Sequence, residues 1–262
     1  MYYSASAMKW FKRIGMFLGV LLAGPLLMVA CGKINLGRDW RTADRSPTGI
    51  APDPDTTREA VVQVYAARAL NWRGIFAVHT WIATKPQGAN GYTVHQVVGW
   101  RKWRNLPVVT SAPDIPDRSW FGNAPVVIAA LHGDAATRAI PRIEQAVRDY
   151  PYEWEYALWP GPNSNTFTAY IGREVPELAL DLPTTAIGKD FLTNGSLATR
   201  APSGTGFQVS WYGLLGVLAA RQEGLEFNLL GLSFGIDVLR PAIKLPGVGR
   251  LGLSKPIPRQ PK

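Results

Sequence analysis

The chain has 262 residues, 47% of them hydrophobic, 11% aromatic and 18% charged. Ten tryptophans and that apolar share exclude a chain disordered throughout, and the length suffices for one domain with a real core plus accessory segments. Only one uncharged apolar run approaches the ~17–25 residues that a crossing helix needs, which excludes a multi-span transporter. The net charge of +9 is uneven: seven cations against one acid give residues 58–104 a charge of +6, whereas residues 105–190 carry −5. These cations are spread and accompany no nucleic-acid-binding motif, so no nucleic-acid partner is expected. A single cysteine, Cys31, rules out an internal disulfide and a cysteine-rich zinc site.

In chain order, Lys9, Lys12 and Arg13 precede Ile14–Ala30, seventeen residues without a charge, which as a helix would reach ~26 Å. Positive flank, apolar run and small residues make residues 1–31 a signal anchor or a lipoprotein signal, with the body outside the cytoplasm. Residues 32–58, with three prolines and three glycines among polar residues, predict a flexible tether. A globular domain is expected over 59–253 and a basic tail over 254–262. The last 25 residues hold six cations, Arg240, Lys244, Arg250, Lys255, Arg259 and Lys262, which predict attraction to anionic headgroups.

Within the domain, Val61–Tyr65, Ile75–Thr84 and Tyr92–Trp100 are rich in β-branched and aromatic residues, and Lys85–Gly91 has the Gly/Pro/Asn content of a hairpin loop. Residues 105–125 read as a long surface loop and Val126–Leu131 as a short buried strand. Asp134 is placed to cap a helix whose buried face is Ile140, Ile143 and Val147. Thr166–Glu174 forms a second helix with Phe167, Tyr170 and Ile171 on one face. Residues 207–239 predict two long strands, Phe207–Leu218 and Leu225–Val238, joined at Arg221–Gly224, with a hairpin apposed to a membrane as the alternative. The fold class expected is α+β: one N-terminal membrane or signal helix, then a mainly antiparallel sheet with a few packed helices.

Four motifs, Val61–Arg68, His79–Ile82, Pro160–Phe167 and Thr185–Asp190, together resemble a bacterial membrane-anchored family known only as a domain of unknown function. The resemblance implies a bacterial envelope protein and almost nothing about chemistry; the N-terminal segment and the basic residues add the expectation of an inner-membrane protein or a lipoprotein with membrane lipid as partner. Leu27–Gly32 also resembles a lipobox, which implies lipidation at Cys31. A remoter likeness joins a histidine on an early strand to Asn163-Ser164-Asn165-Thr166-Phe167 opening a helix. It is similar to the permuted papain-like group (NlpC/P60 and lecithin:retinol acyltransferase relatives) and implies a hydrolase or acyltransferase acting on envelope peptidoglycan or lipid. Ser164 stands where that group has its cysteine.

In such a site Ser164 would be the nucleophile, His79 the base and His95 the orienting group. A hairpin centred near Gly88 pairs His79 with Val97 and Trp81 with His95, which puts both histidines on one face. A slip of one residue separates them. The competing reading makes Ser164 a helix cap and His79 a core histidine. His132 is expected to lead into a helix. The carboxylate pairs Asp114/Asp117 and Glu153/Glu155 read as solvated surface charge rather than glycosidase groups. Neither a cofactor nor a metal is expected, because the three histidines lack ligand spacing.

Overall fold

The computed structural model describes residues 5–253. Helix α1 (Ala5–Ala30) is bent by 43° between Met8–Gly19 and Leu21–Ala30. Pro25 accounts for the place of the bend, since its ring crowds the carbonyl four residues back, that of Leu21. Among the described residues no single helix is long and apolar enough to cross a membrane; only the two halves of α1 taken together reach that length.

The remainder is α+β, built on two antiparallel sheets. The first contains β1 (Val61–Arg68), β2 (Val78–Lys85), β3 (Thr93–Val97), β4 (Val109–Pro113) and β5 (Val126–His132). Their spatial order is β4-β3-β2-β1-β5. A four-residue helix, α2 (Arg73–Phe76), lies between β1 and β2. Helix α3 (Gly133–Arg148) follows β5, and α4 (Ser164–Glu174) lies over β2 and β3. Seven of the eight β1 residues are buried because both faces of the sheet are covered. Val62, Val64 and Ile82 meet Ile140 and Ile143 of α3 and Phe167 and Ile171 of α4. Val61, Tyr65, Trp81 and Ala83 face the other way into a second apolar cluster.

That second cluster is covered by the segment expected to be a free tether. Asp117 accepts hydrogen bonds from the backbone N–H of Ile50 (2.8 Å) and Ala51, Arg38 donates to Phe121 O (2.7 Å), and Tyr92 donates to Pro52 O (2.8 Å). Residues 38–52 therefore form a strap laced to the body, because their polar groups find partners on the loop before β5 rather than water. That loop also carries β4, where the sequence predicted only irregular chain.

The second sheet is a meander of β6 (Ala198–Arg200), β7 (Gly206–Trp211), β8 (Leu215–Ala220), β9 (Gly224–Leu229), β10 (Leu232–Asp237), β11 (Ala242–Leu245) and β12 (Gly249–Gly252), each paired with its sequence neighbour. The two long strands expected over 207–239 are four short ones. Tyr212-Gly213 and Leu230-Gly231 take positive φ at both residues and turn the chain. The Leu230-Gly231 pair is the two-residue turn that matches the twist of a hairpin.

Candidate functional site

Helix α4 is held at its first turn by a dense set of polar contacts. The cap is Asn163, one residue before Ser164: its Oδ1 accepts from the N–H of Asn165 (2.9 Å) and Thr166 (3.2 Å), while the Thr166 hydroxyl accepts from the Asn163 N–H (3.1 Å). This reciprocal box satisfies helix-end donors that would otherwise be buried without partners. Asn165 donates to Val78 O and Ile187 O, and Thr166 donates to Gly188 O. Gly188 sits at φ +101°, and a Cβ there would fall 2.3 Å from the Asn163 side chain. Residues 185–188 thus cradle the start of α4, which explains why the Asn163–Phe167 and Thr185–Asp190 motifs occur in one chain.

The predicted triad is not assembled. In the hairpin Ile82 pairs with His95, and Ala83 with Val94. This is one residue away from the expected register, so His79 and His95 lie on opposite faces of the sheet. On the α4 side of β2 the residue at the helix start is Thr80: its hydroxyl lies 2.9 Å from Asn165 Oδ1, 2.9 Å from Thr168 Oγ1 and 3.3 Å from Ser164 O. His79 points away, stacked on Trp120 at 3.6 Å between ring centroids, with Nε2 donating to Gln96 Oε1 at 3.1 Å. His95 engages both ring nitrogens, with Thr84 Oγ1 at 3.0 Å and Ser111 Oγ at 2.8 Å. Burial lowers both histidines to about 4, which keeps them neutral. Ser164 is buried and no hydrogen bond to its hydroxyl occurs among the described residues.

The remaining candidates also take structural places. His132 precedes α3 and bonds Glu59 Oε1 at 3.1 Å. Asp117 holds the strap, and Asp114 pairs with Arg118. Among the described residues no group of His, Cys, Asp and Glu is arranged to hold a metal ion. A cavity of about 330 Å³ opens between β5 and the meander. Its charged lining groups are already engaged: Lys244 with Asp181 and Glu226, Arg250 with Asp237, and Glu177 with Arg142.

The inner face of the meander was not anticipated. Lys189, at the end of the cradle, donates to Glu226 Oε2 at 2.6 Å, and Lys244 pairs with the other oxygen of Glu226. Asp190 accepts from Gln208 and from Ser233 (3.0 Å), and Glu223 accepts from Ser203 Oγ at 2.5 Å. Lys189 and Glu226 are each only 2% exposed. Burial works against both charges, yet Asp190 and Glu226 raise Lys189 above the usual lysine range, and the two lysines hold Glu226 below the usual carboxylate value. The motif Thr185–Asp190 is therefore a clasp: one end holds α4, the other is buried in the second sheet.

The outer face is the reverse. One cross-strand row is Val209–Val217–Phe227–Phe234, and another is Phe207–Ala219–Leu225–Ile236–Ile243–Leu251. Phe207 is 73% exposed and Val209 57%. Every outward position on β7–β12 is apolar or glycine. Helix α1 reaches this face, with Phe17 edge-on to Phe234 at 6.2 Å and Gly24 close against Pro246. Three of the six cations expected to attract headgroups are engaged within the fold, and the tail called over 254–262 lies outside the described residues. Lys244 is buried in ion pairs, Arg250 binds Asp237, and Arg240 donates to Gln222 Oε1. Lys255, Arg259 and Lys262 lie outside the described residues.

Fold and site define a two-sheet α+β protein in which one polar clasp joins a compact helix-and-sheet body to a meander. The chain belongs to the family described as Protein of unknown function (DUF3750), which it matches over residues 59–191, from just before β1 to the end of the clasp. No curated protein and no solved structure matches it.

Proposed function

We propose that this protein is a membrane-tethered cell-envelope protein that works as a non-catalytic binding or structural module. The observation that carries the reading is the separation of His79 and His95 to opposite faces, with Thr80 rather than either histidine at the start of α4. A serine hydroxyl titrates far above neutrality, so it needs a base within hydrogen-bond reach. The histidine ring nitrogens with partners are hydrogen-bonded elsewhere, His79 to Gln96 and His95 to Thr84 and Ser111. The tether rests on α1, whose apolar side chains such as Trp10, Phe11 and Met16 are exposed. The signal-like layout of residues 1–31, a positive flank, an apolar run and small residues, supports a body outside the cytoplasm.

The rival is a serine-variant hydrolase or acyltransferase on envelope peptide or lipid, built on a permuted papain-like scaffold. Its supporting observation is the Ser164 hydroxyl, which lacks a hydrogen-bond partner among the described residues at the first turn of α4. A fluorophosphonate probe applied to the full chain and to Ser164→Ala separates the two. No Ser164-dependent labelling is expected, whereas labelling lost only in Ser164→Ala overturns the non-catalytic reading.

A further inference from the structure

A two-sided antiparallel sheet in water puts its apolar residues against the core and its polar residues outside. The meander does the opposite. Gln208, Ser210, Glu226, Asn228, Ser233 and Lys244 are buried against the body, while the alternate positions carry phenylalanine, valine, leucine and isoleucine outward. The outward positions cover five inter-strand spacings of ~4.8 Å and three rows ~6.7 Å apart, a patch on the order of 400 Å².

We propose that the outer face of β7–β12, continuous with α1, lies in the apolar boundary of a lipid leaflet and seats the body flat on the membrane. This inference rests on the tethered reading and adds a second, independent contact to it. Three features favour lipid as the occupant. Apart from the indole N–H of Trp211 at its margin, the face offers no charge or side-chain hydrogen-bond group, whereas a protein–protein interface carries roughly one hydrogen bond per 100–200 Å². Helix α1 lies against Phe234 and the Pro246–Val248 turn with its far side apolar and exposed, so helix and sheet form one surface. Where α1 touches the face at Phe234 it also obstructs flush packing of a second copy, since stacked sheets approach to ~10 Å. The rim fits the same occupant. Lys9, Lys12 and Arg13 on α1, with Arg200 and Arg221 at the sheet margins, are exposed and match anionic headgroups. Trp211, Tyr212 and Trp159 stand exposed around the Tyr212 and Leu230 turns, the aromatic composition of a membrane–water boundary. Strands β7–β11 are paired on both sides, so unpaired backbone groups are confined to the margins of the sheet, at the edge strands β6 and β12. Immersion is shallow, ~5–10 Å, as for other monotopic surfaces.

The test uses the full chain with Cys31→Ser, which removes its one cysteine. Single cysteines are then placed at Val217 or Val209 on the sheet, at Leu18 on α1 and at Thr137 on α3, and each is labelled with a polarity-sensitive dye. Iodide quenching is read before and after reconstitution into phosphatidylethanolamine–phosphatidylglycerol vesicles. The expected result is a blue shift and loss of quenching at both sheet positions and at Leu18, with Thr137 unchanged. Protection at Leu18 with full quenching at Val217 and Val209 overturns the sheet inference and leaves the tether standing. Full quenching at all positions overturns both. Protection of Val217 that rises with protein concentration, without vesicles, assigns the face to a second copy and overturns the lipid assignment.

Discussion

Along β1 the residues pointing at the helices are Val62 and Val64, and along β9 the residues pointing at the body are Glu226 and Asn228. The five-stranded sheet is held by apolar packing on both faces. The meander is attached through ion pairs and hydrogen bonds that converge on Lys189, Asp190, Glu226 and Lys244, with its apolar side turned away. A polar interface of this kind gains little net stability, because desolvating the charges offsets most of their attraction, but it tolerates no missing member. It also explains how an apolar face stays outside: the inward positions are already committed to charged partners that water-facing positions would not need.

The largest expected effect tests that asymmetry directly. Glu226→Ala leaves Lys189 and Lys244 facing each other without their shared carboxylate and should cost ~3–5 kcal/mol in denaturant unfolding. The adjacent outward change Phe227→Ser should cost under ~1 kcal/mol. Equal losses at the two positions would erase the distinction between the faces.

The next effect belongs to the first sheet. His79 and His95 sit at about 4 when folded, below the ordinary histidine value of 6.5, so the unfolded chain binds more protons between these limits. Stability is therefore full above pH ~6.5 and falls as the pH drops toward 4, by on the order of 3 kcal/mol per histidine. His79→Phe keeps the stack on Trp120 and should remove about half of that fall, read as thermal midpoint against pH. An unchanged pH profile would mean that His79 titrates normally.

Smaller effects probe the clasp where it meets α4. Gly188→Ala forces a side chain at φ +101° onto Asn163 and should cost ~1–3 kcal/mol. Asn163→Ala removes the cap for ~1 kcal/mol, whereas Ser164→Ala should stay within about 0.5 kcal/mol because its hydroxyl holds nothing. A Ser164→Ala loss that matches Asn163→Ala would make Ser164 the capping group after all.

Much of the first sheet was legible. The β-branched run at Val61, the Gly/Pro/Asn loop at 85–91 and the three- and four-residue spacing of Ile140, Ile143 and Val147 report local geometry, and local geometry is what periodicity encodes. The hairpin register was not, since Ile82 pairs with His95 only through the conformation of the 86–92 loop, and a single-residue difference moved His95 to the other face. The strap is not legible in the sequence because its Pro and Gly content describes irregular backbone, which is equally compatible with a free tether and with one hydrogen-bonded to Asp117. In the meander, Leu230-Gly231 concealed a turn because leucine rarely marks one.

Period-two alternation was written plainly in Phe207-Gln208-Val209-Ser210-Trp211 and in Leu225-Glu226-Phe227-Asn228-Leu229, and by itself it determined that these residues are strands with one apolar and one polar face. Which face turns inward was decided only by tertiary structure. Alternation fixes the sharing of a face, not its partner. The partner here is a lysine 37 residues away from Glu226, delivered by a loop that also holds the start of α4.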